Sequence, residues 1–311
     1  MATTAASAHG GAHNRPPSSR VFSRRVAPFI PVVLAAGMQA AGMLGPGSTA
    51  TSQGKGAAAA TSTDTGGPFD PGCAYPFADI AVKHPIDSDC GISGKPADAP
   101  NQAQNEAKNN FCVTGDAVSV TPADLVKLQG AVQAANIPFG DTHHLPPKRS
   151  VLRNLSKTDK GVAIGEGSKV RLVAFVEQAH PSDVDSGESV NCDISGEETN
   201  DIHIPLVQVA DTDECTSVTA EMSPHGRPAG WTSAALNLPG QVVRVTGQLF
   251  FDGSHRPCAN GKGSPKRASL WEIHPVYAVD VCTGKTIADC SVDDDSKWRP
   301  LAPKPGEAAA P

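Results

Sequence analysis

The sequence is poor in aromatic side chains and lacks the common short catalytic motifs. Phe, Trp and Tyr make up 5% of its 311 residues. It has no G-x-S-x-G nucleophile elbow, which disfavours a serine hydrolase of the α/β-hydrolase type, and no H-E-x-x-H zinc-binding pair. The glycine-rich stretches 161–167 and 261–264 lack the spacing of dinucleotide-binding and P-loop motifs, so we interpret both as turns. Composition and short motifs therefore identify no enzyme class.

Basic residues are outnumbered by acidic ones. The chain has 26 Lys and Arg against 32 Asp and Glu, a formal net charge of −6. Residues 1–50 contain four arginines and no acid, so their removal leaves 22 basic against 32 acidic residues and a formal charge of −10. An acidic chain repels polyanions. We therefore expect no generic nucleic-acid binding.

Residues 1–50 have the organisation of a signal peptide. Four arginines precede the apolar run 26–44, and the small residues 48–50 follow it. We predict cleavage near Ala50. The alternative is an uncleaved membrane anchor, which the two prolines of the run disfavour; membrane contact is expected only in that case. Either way the protein is predicted to be exported to the periplasm, the cell envelope or the extracellular space.

All eight cysteines lie beyond residue 50, and no two have C-x-x-C spacing. An even number of cysteines in an exported chain indicates disulfides rather than a zinc site or a redox pair. Eight cysteines allow 105 pairings, and the sequence does not choose among them. The disulfide candidates are Cys73, Cys90, Cys112, Cys192, Cys215, Cys258, Cys282 and Cys290.

The remaining organisation follows from composition. Residues 51–68 are predicted to be a disordered low-complexity linker, and residues 69–160 an irregular cysteine-containing segment. That segment includes one helix, predicted over 122–136 because Thr121 is a good N-cap and apolar residues then recur at helical spacing. We expect this helix to cover the barrel described next. The Pro- and Ala-rich tail 291–311 is predicted to be disordered.

From Lys169 onwards the pattern changes to that of β-strands. Five strands are predicted, at 169–177, 201–209, 215–222, 241–251 and 269–281. A short helical stretch, 231–238, separates the third strand from the fourth. Five strands with a helix in that interval match the order of the OB fold. The sequence therefore predicts a mainly β protein with a five-stranded OB-like barrel over residues 169–282.

Four segments resemble an uncharacterised family of secreted bacterial proteins with an OB-like domain. These segments are 200–204, 221–225, 243–252 and 271–276. The resemblance covers roughly residues 79–282, and the last two segments are its most specific part. It implies the fold and export, and it brings no established activity.

Strand alternation places several polar side chains on one face of the predicted barrel. The predicted polar face consists of Asp201, His203, Glu221, Arg244, Glu272 and His274. Two further histidines, His225 and His255, follow the third and fourth strands and are expected at rim turns, where OB folds bind ligands. The candidates for binding a metal or another ligand are His203, His225, His255, His274, Glu221 and Glu272. The candidate supporting residues are Asp201, Arg244 and Asp252.

Three interpretations of this set stay open. The first is a buried network of hydrogen bonds and salt bridges in which Arg244 pairs with Glu221 or Glu272. The second is a site for a divalent metal such as zinc, and the third is general acid–base catalysis of phosphodiester or ester hydrolysis. Three imidazole nitrogens near one point would favour the metal. Histidines that each face a separate carboxylate would favour the network.

The loops beside this face carry opposite charges. The connection 252–266 is mainly basic, whereas the connection 178–199 is acidic. Opposed signs disfavour a nucleic-acid groove. From the OB order of the strands, the disulfide-compatible cysteines and the absence of a complete catalytic motif, we expect a non-enzymatic, exported binding or interaction module of unknown ligand or protein partner. The alternatives are a metal-dependent hydrolase that uses the His/Glu cluster and a structural protein of the cell envelope.

Overall fold

The computed structural model describes residues 69–77, 84–96, 98–182 and 192–301. The predicted signal peptide, the linker and the last ten residues lie outside this part of the chain. In the described part, no helix combines the length and the apolar character needed to cross a membrane. Its α-helices are α1 (Ala99–Lys108), α2 (Pro122–Ala134) and α3 (Ser233–Leu236). Single 3₁₀ turns occupy Pro85–Ser88, Arg149–Leu152, Glu197–Thr199, Glu214–Thr216, Ile287–Asp289 and Asp295–Lys297.

Strands dominate the architecture. They are β1 (Val118–Val120), β2 (Ser156–Lys157), β3 (Ala163–Ile164), β4 (Lys169–Val176), β5 (His180–Pro181), β6 (Ile202–Val207), β7 (Val218–Met222), β8 (Val242–Phe251), β9 (Trp271–Cys282) and β10 (Trp298–Pro300). Strands β2 and β3 form a separate ribbon, and the others belong to one sheet. The protein is therefore mainly β, as predicted.

Five of these strands close into a barrel in the order β4, β6, β7, β9, β8 and back to β4. Phe175 of β4 lies opposite Val207 of β6, which completes the ring. All pairings within the ring are antiparallel except β7 with β9, where Ala220 lies beside Ile273. The predicted five-stranded barrel, with a short helix between its third and fourth strands, is confirmed.

The barrel core follows from side-chain alternation. In β4 every second residue is buried, as expected for a strand with one face against a core. Strand β8 is buried on both faces. Trp271 has no exposed surface and its ring centroid lies 5.3 Å from that of Phe251, so it belongs to the core. Removing Trp271 from water contributes on the order of 2–3 kcal/mol.

Helix α2 covers one end of the barrel, as predicted. Thr121 caps its N-terminus by accepting a hydrogen bond from the Asp124 backbone N–H. Leu125, Leu128 and Val132 belong to the same apolar cluster as the barrel strands. The Leu270 N–H donates a hydrogen bond of 3.0 Å to Oε1 of Gln129, in the middle of the helix. The helix ends at Ala134, two residues earlier than expected.

The segment 69–160 is less irregular than predicted. Helix α1 begins after the N-cap Asp98, whose side chain accepts from the Asn101 N–H. Six of its ten residues are polar and the others are three alanines and a proline, so it has no large apolar residues whose periodicity could be detected. Its buried side chains, Gln104 and Asn105, are held by hydrogen bonds, with Gln104 Oε1 accepting from the Gly253 N–H at 3.0 Å. Strand β1 adds in parallel to β4.

The prediction of disorder beyond residue 290 is wrong over residues 291–301. Strand β10 pairs with the end of β9, where Trp298 lies opposite Cys282. Trp298 is buried, and its indole N–H donates to the Ser291 carbonyl at 2.8 Å. An aromatic anchor thus offsets the entropy of ordering a polar, Pro-containing segment.

Four disulfides link the eight cysteines, which confirms the disulfide prediction and supplies the pairing. The pairs are Cys73–Cys112, Cys90–Cys192, Cys215–Cys258 and Cys282–Cys290. The first two bind the segment before the barrel to itself and to the loop preceding β6. The third fixes a 3₁₀ turn where the third strand was expected to begin, so β7 starts only at Val218.

Candidate functional site

A cavity of about 380 Å³ opens on the barrel beside β6, β7 and β9, with α1 and the β8–β9 loop on its wall. We call it the polar pocket. Its carboxylates are Asp201, Glu221, Asp252 and Glu272. Its permanent cations are Lys108 and Arg267. Its imidazoles are His180, His203 and His255.

Strand register explains why these side chains meet. His203 of β6 lies directly opposite Glu221 of β7, and β7 runs parallel to β9 at Glu272. Residues two apart on a strand share a face, so His274 follows Glu272 on the same side. The structure thus brings together Asp201, His203, Glu221, Glu272 and His274, five of the six residues of the predicted polar face.

Arg267 is the central cation of this group, and sequence reasoning missed its role. It has no exposed surface. Its guanidinium forms ion pairs with Glu272 and Asp252, and Nη1 lies 3.8 Å from Glu221 Oε1. The position lies in the connection before β9, where the sequence offered only an excess of basic charge. A single arginine with three carboxylate partners thus forms part of the pocket lining.

Arg244 lies elsewhere, and its predicted pairing with Glu221 or Glu272 is wrong. Its guanidinium nitrogens are 2.8 Å from Asp280 and 2.7 Å from Asp295. On β8, Arg244 faces Asp280 of β9, whereas Phe250 faces Glu272. Six residues of strand separate Arg244 from Phe250, roughly 20 Å. Strand alternation predicts which residues share a face of a strand, but it does not predict how far along the barrel axis each of them lies.

His274 is completely buried behind the pocket wall. Its Nδ1 lies 3.1 Å from Glu221 Oε2 and 3.5 Å from Glu272 Oε2, and its Nε2 lies 3.8 Å from Asp201 Oδ2. Burial alone would lower the pKa of His274, but these carboxylates outweigh it and raise the pKa to about 9. Near neutral pH the imidazole is therefore protonated.

The two glutamates of the group titrate differently. Burial raises the pKa of Glu272 to about 7, and the charge of Glu221 adds to that rise against the opposing effect of Arg267. Burial would also raise the pKa of Glu221, but His203, His274 and Arg267 overcome it and hold that pKa well below its usual range. Environment thus separates two neighbouring carboxyl groups into one ionised and one that titrates near neutrality.

His203 and His180 form one side of the pocket. His203 Nε2 is 3.3 Å from Glu221 Oε1, and the two imidazole rings are 5.3 Å apart at their centroids. Burial lowers the pKa of His203, although Glu221 and Asp201 oppose that effect. His180 was not predicted as a site residue. It lies opposite His203 in the pairing of β5 with β6, a two-residue strand too short to detect from alternation.

His255 and Asp252 stand together at the opposite side of the pocket. His255 Nδ1 lies 2.5 Å from Asp252 Oδ2. Burial would raise the pKa of Asp252, but Arg267 and His255 hold it far below its usual value. Asp252 is therefore an ionised carboxylate that links the rim histidine to the buried arginine.

His225 belongs to a separate cluster. It has no exposed surface, its Nδ1 lies 2.6 Å from Asp87 Oδ1, and its ring stacks on Phe69 at 4.0 Å. It does not line the polar pocket. The expected ligand set that joined His225 to the other three histidines is therefore not formed.

The predicted histidines thus each face a carboxylate instead of converging as three imidazoles on one point. This arrangement matches the hydrogen-bond and salt-bridge interpretation for most of the group. Within it, ligand atoms of Asp201, Glu221 and His274 all lie within 4.8 Å of one another. That smaller set of two carboxylates and one imidazole is the part of the network that could hold a metal ion.

No known protein-family model matches this chain, and no curated protein matches it either. The resemblance to secreted bacterial proteins with an OB-like domain therefore stays a prediction. The chemistry of the polar pocket rests on its own geometry and charge.

Proposed function

We propose that this protein is an exported binding module that holds a small, positively charged ligand in the polar pocket of an OB-like barrel. The charge of the pocket wall carries the proposal. Four carboxylates face two permanent cations, so with neutral lining imidazoles and an ionised Glu272 the lining has a formal charge of −2, which the protonated His274 behind it reduces to −1. Clefts lined by one sign of charge concentrate ligands of the opposite sign. A volume of about 380 Å³ is within the range of small-ligand sites.

The barrel supports the OB-like part of the proposal. Its five strands close with the third and fifth in parallel, and the short α3 lies between the third and fourth. The pocket is lined by the second and third strands and by the loop between the fourth and fifth. OB folds bind ligands on that face and with that loop.

Export is supported by the cysteines. All eight are paired, and disulfides persist in oxidising compartments outside the cytosol. The arginine-flanked apolar run of residues 26–44 supplies the predicted export signal. A hydrolase built on four histidines has less support, because His225 is separated from the pocket and paired with Asp87.

Thermal unfolding with two cationic probes tests the binding function. Spermidine and zinc chloride are each titrated into the oxidised protein, with inorganic phosphate as the anionic comparison. A ligand at about 100 times its Kd stabilises the folded state by about 2.7 kcal/mol. We expect at least one cation to raise the melting temperature and phosphate to leave it unchanged.

A pocket-filling variant locates the effect. Ser264 is exposed on the pocket rim, so Ser264→Trp narrows the cavity without disturbing the buried charges. Gln133→Trp, on the exposed face of α2 and away from the pocket, is the matched control. The proposal requires Ser264→Trp, and not the control, to remove the stabilisation. Equal stabilisation of both variants, or none of the wild type by either cation, would overturn it.

A further inference from the structure

We infer that Asp201, Glu221 and His274 form a site for one divalent transition-metal cation at the inner wall of the polar pocket. The inference rests on the proposed function and names the chemical class of its ligand. Asp201 and Glu221 line the pocket, and His274 lies directly behind them. An ion that enters the cavity meets the two carboxylates first and the imidazole next.

The ligand atoms are close enough to share an ion. All three lie within 4.8 Å of one another. A tetrahedral centre with ligand bonds of 2.0–2.1 Å places its ligand atoms about 3.3 Å apart. Side-chain rotations that bring the outermost atoms about 1.5 Å closer would complete the site, a movement within the reach of χ torsions at Glu221.

The imidazole provides an independent observation. His274 is fully buried, and its Nε2 forms no hydrogen bond. Buried ring nitrogens are normally hydrogen-bonded, so an orphaned Nε2 calls for an explanation. The carboxylates of Glu221 and Glu272 lie 3.1 and 3.5 Å from Nδ1, whereas Nε2 is 3.8 Å from Asp201 Oδ2, beyond hydrogen-bonding distance. A cation beside Nε2 would give that nitrogen the partner that it lacks.

The distribution of charge points to the same place. Arg267 is held by its ion pairs with Glu272 and Asp252. Lys108, the other cation, lies 3.7 Å from Asp201 at the end of a flexible side chain. Metal binding displaces the proton of His274, and with Glu272 ionised the lining carboxylates then exceed the lining cations by two, the charge of one divalent ion.

The donor types select the class of metal. Calcium and magnesium take oxygen ligands almost exclusively, whereas a buried imidazole nitrogen suits zinc and the neighbouring first-row metals. Every cysteine is in a disulfide, so no thiolate competes for the ion. Two carboxylates and one imidazole leave room for a fourth ligand from the open side of the cavity.

Isothermal titration of the oxidised, chelator-treated protein with zinc chloride tests the site. We expect one zinc per chain. Glu221→Gln and His274→Gln should each weaken the affinity at least tenfold, and circular dichroism checks that both variants fold. His144→Gln is the control, because His144 and Asp141 form an exposed imidazole–carboxylate pair of 2.7 Å outside the pocket. It should bind zinc as the wild type does.

A second measurement tests the site if Glu221→Gln and His274→Gln do not fold. Anomalous diffraction from zinc-soaked crystals of the wild type should give a peak bounded by Asp201, Glu221 and His274. Absence of zinc binding, unchanged affinity in a folded Glu221→Gln or His274→Gln variant, or a peak elsewhere would overturn the metal site. If zinc does not bind but spermidine still stabilises the wild type and not Ser264→Trp, only the metal site is rejected. If neither cation stabilises the wild type, the proposed function is rejected as well.

Discussion

Among single residues of the described part of the chain, Arg267 contacts three carboxylates at once. Its guanidinium is buried with Glu272, Asp252 and Glu221 around it. An ion pair out of water contributes little by itself, because desolvation cancels most of the attraction. Removing one partner is different, since the buried carboxylates left behind lose the counterion that they share.

Arg267→Met should therefore destabilise the protein by about 3–5 kcal/mol, measured by urea unfolding near pH 7. The matched control is Lys127→Met, because Lys127 and Asp159 form an exposed pair of 3.7 Å. Its loss should cost less than about 1 kcal/mol. Similar losses for the two variants would mean that the buried carboxylates are already neutralised without Arg267.

His84 should make the fold sensitive to acid. Burial and the nearby charge of Arg227 lower the pKa of this half-buried imidazole to about 4. Its stabilising contribution is present above the unfolded-state pKa of about 6.5 and is lost as the pH falls towards 4. Because the ring is partly exposed, we expect the loss to amount to about 1–2 kcal/mol.

The free energy of unfolding, measured from pH 4 to pH 9, tests this effect with His84→Gln. The variant should lose less stability than the wild type between pH 6.5 and 4. Between pH 8 and 9, where His84 is neutral in both states, the two curves should run parallel. If the wild type and His84→Gln lose the same free energy of unfolding below pH 6.5, the acid sensitivity is due to other groups.

Among the secondary-structure elements, β10 packs on the end of β9 through one side chain, that of Trp298. Trp298 packs with Val242 and the Cys282–Cys290 disulfide, and the Arg244 guanidinium lies 4.9 Å from its ring centroid. Trp298→Ala should cost about 3–5 kcal/mol in urea unfolding. Arg299→Ala, at the exposed neighbouring position, should have little effect. A small loss at Trp298 would show that β10 is dispensable for the barrel.

The barrel could be predicted from strand-like sequence patterns, of which the period of two in β4 is the clearest. Sequence reasoning missed α1, whose buried side chains are polar and depend on partners far along the chain, such as Gly253. Tertiary contacts of this kind leave no local periodicity. The same holds for β10, which is ordered by one tryptophan.

The candidate site, like the fold, was predicted in part. Alternation grouped His203, Glu221 and Glu272, since each belongs to a strand that faces the pocket. It placed Arg244 with them because alternation gives no height along a strand. Arg267 escaped notice because it lies on a connection, where only the closed fold decides which carboxylates it meets.

At the scale of the whole molecule, the disulfides differ in the length of chain that they constrain. Cys90–Cys192 spans 102 residues and Cys282–Cys290 spans 8, and all four cysteines are buried. Chain entropy assigns about 4.7 kcal/mol to a 100-residue loop and roughly 2.5 kcal/mol to the short one. Replacing the first pair by alanine should thus cost about 2 kcal/mol more in urea unfolding than replacing the second. Equal costs would contradict an entropic origin.

Export makes a prediction for the full-length chain. Expressed with its own N-terminus in a secreting bacterial host, the protein should appear outside the cytosol with a new N-terminus near Ala50. N-terminal sequencing of the secreted material and a thiol assay, which should find no free cysteine, check both points. A product that keeps residues 1–50 and stays with the membrane fraction would support the anchor.

The parallel pairing of β7 with β9 also sets the order in which the barrel can form. Thr219 of β7 can pair with Glu272 only after β9 has been synthesised. Strand β9 pairs as well with β8 and β10. Until β9 is synthesised, β7 has an open edge, which is prone to pairing with other chains. Pairings between distant segments form slowly. The barrel of a nascent chain with this topology can therefore close only after β9 has been synthesised, when most of the chain has already been made.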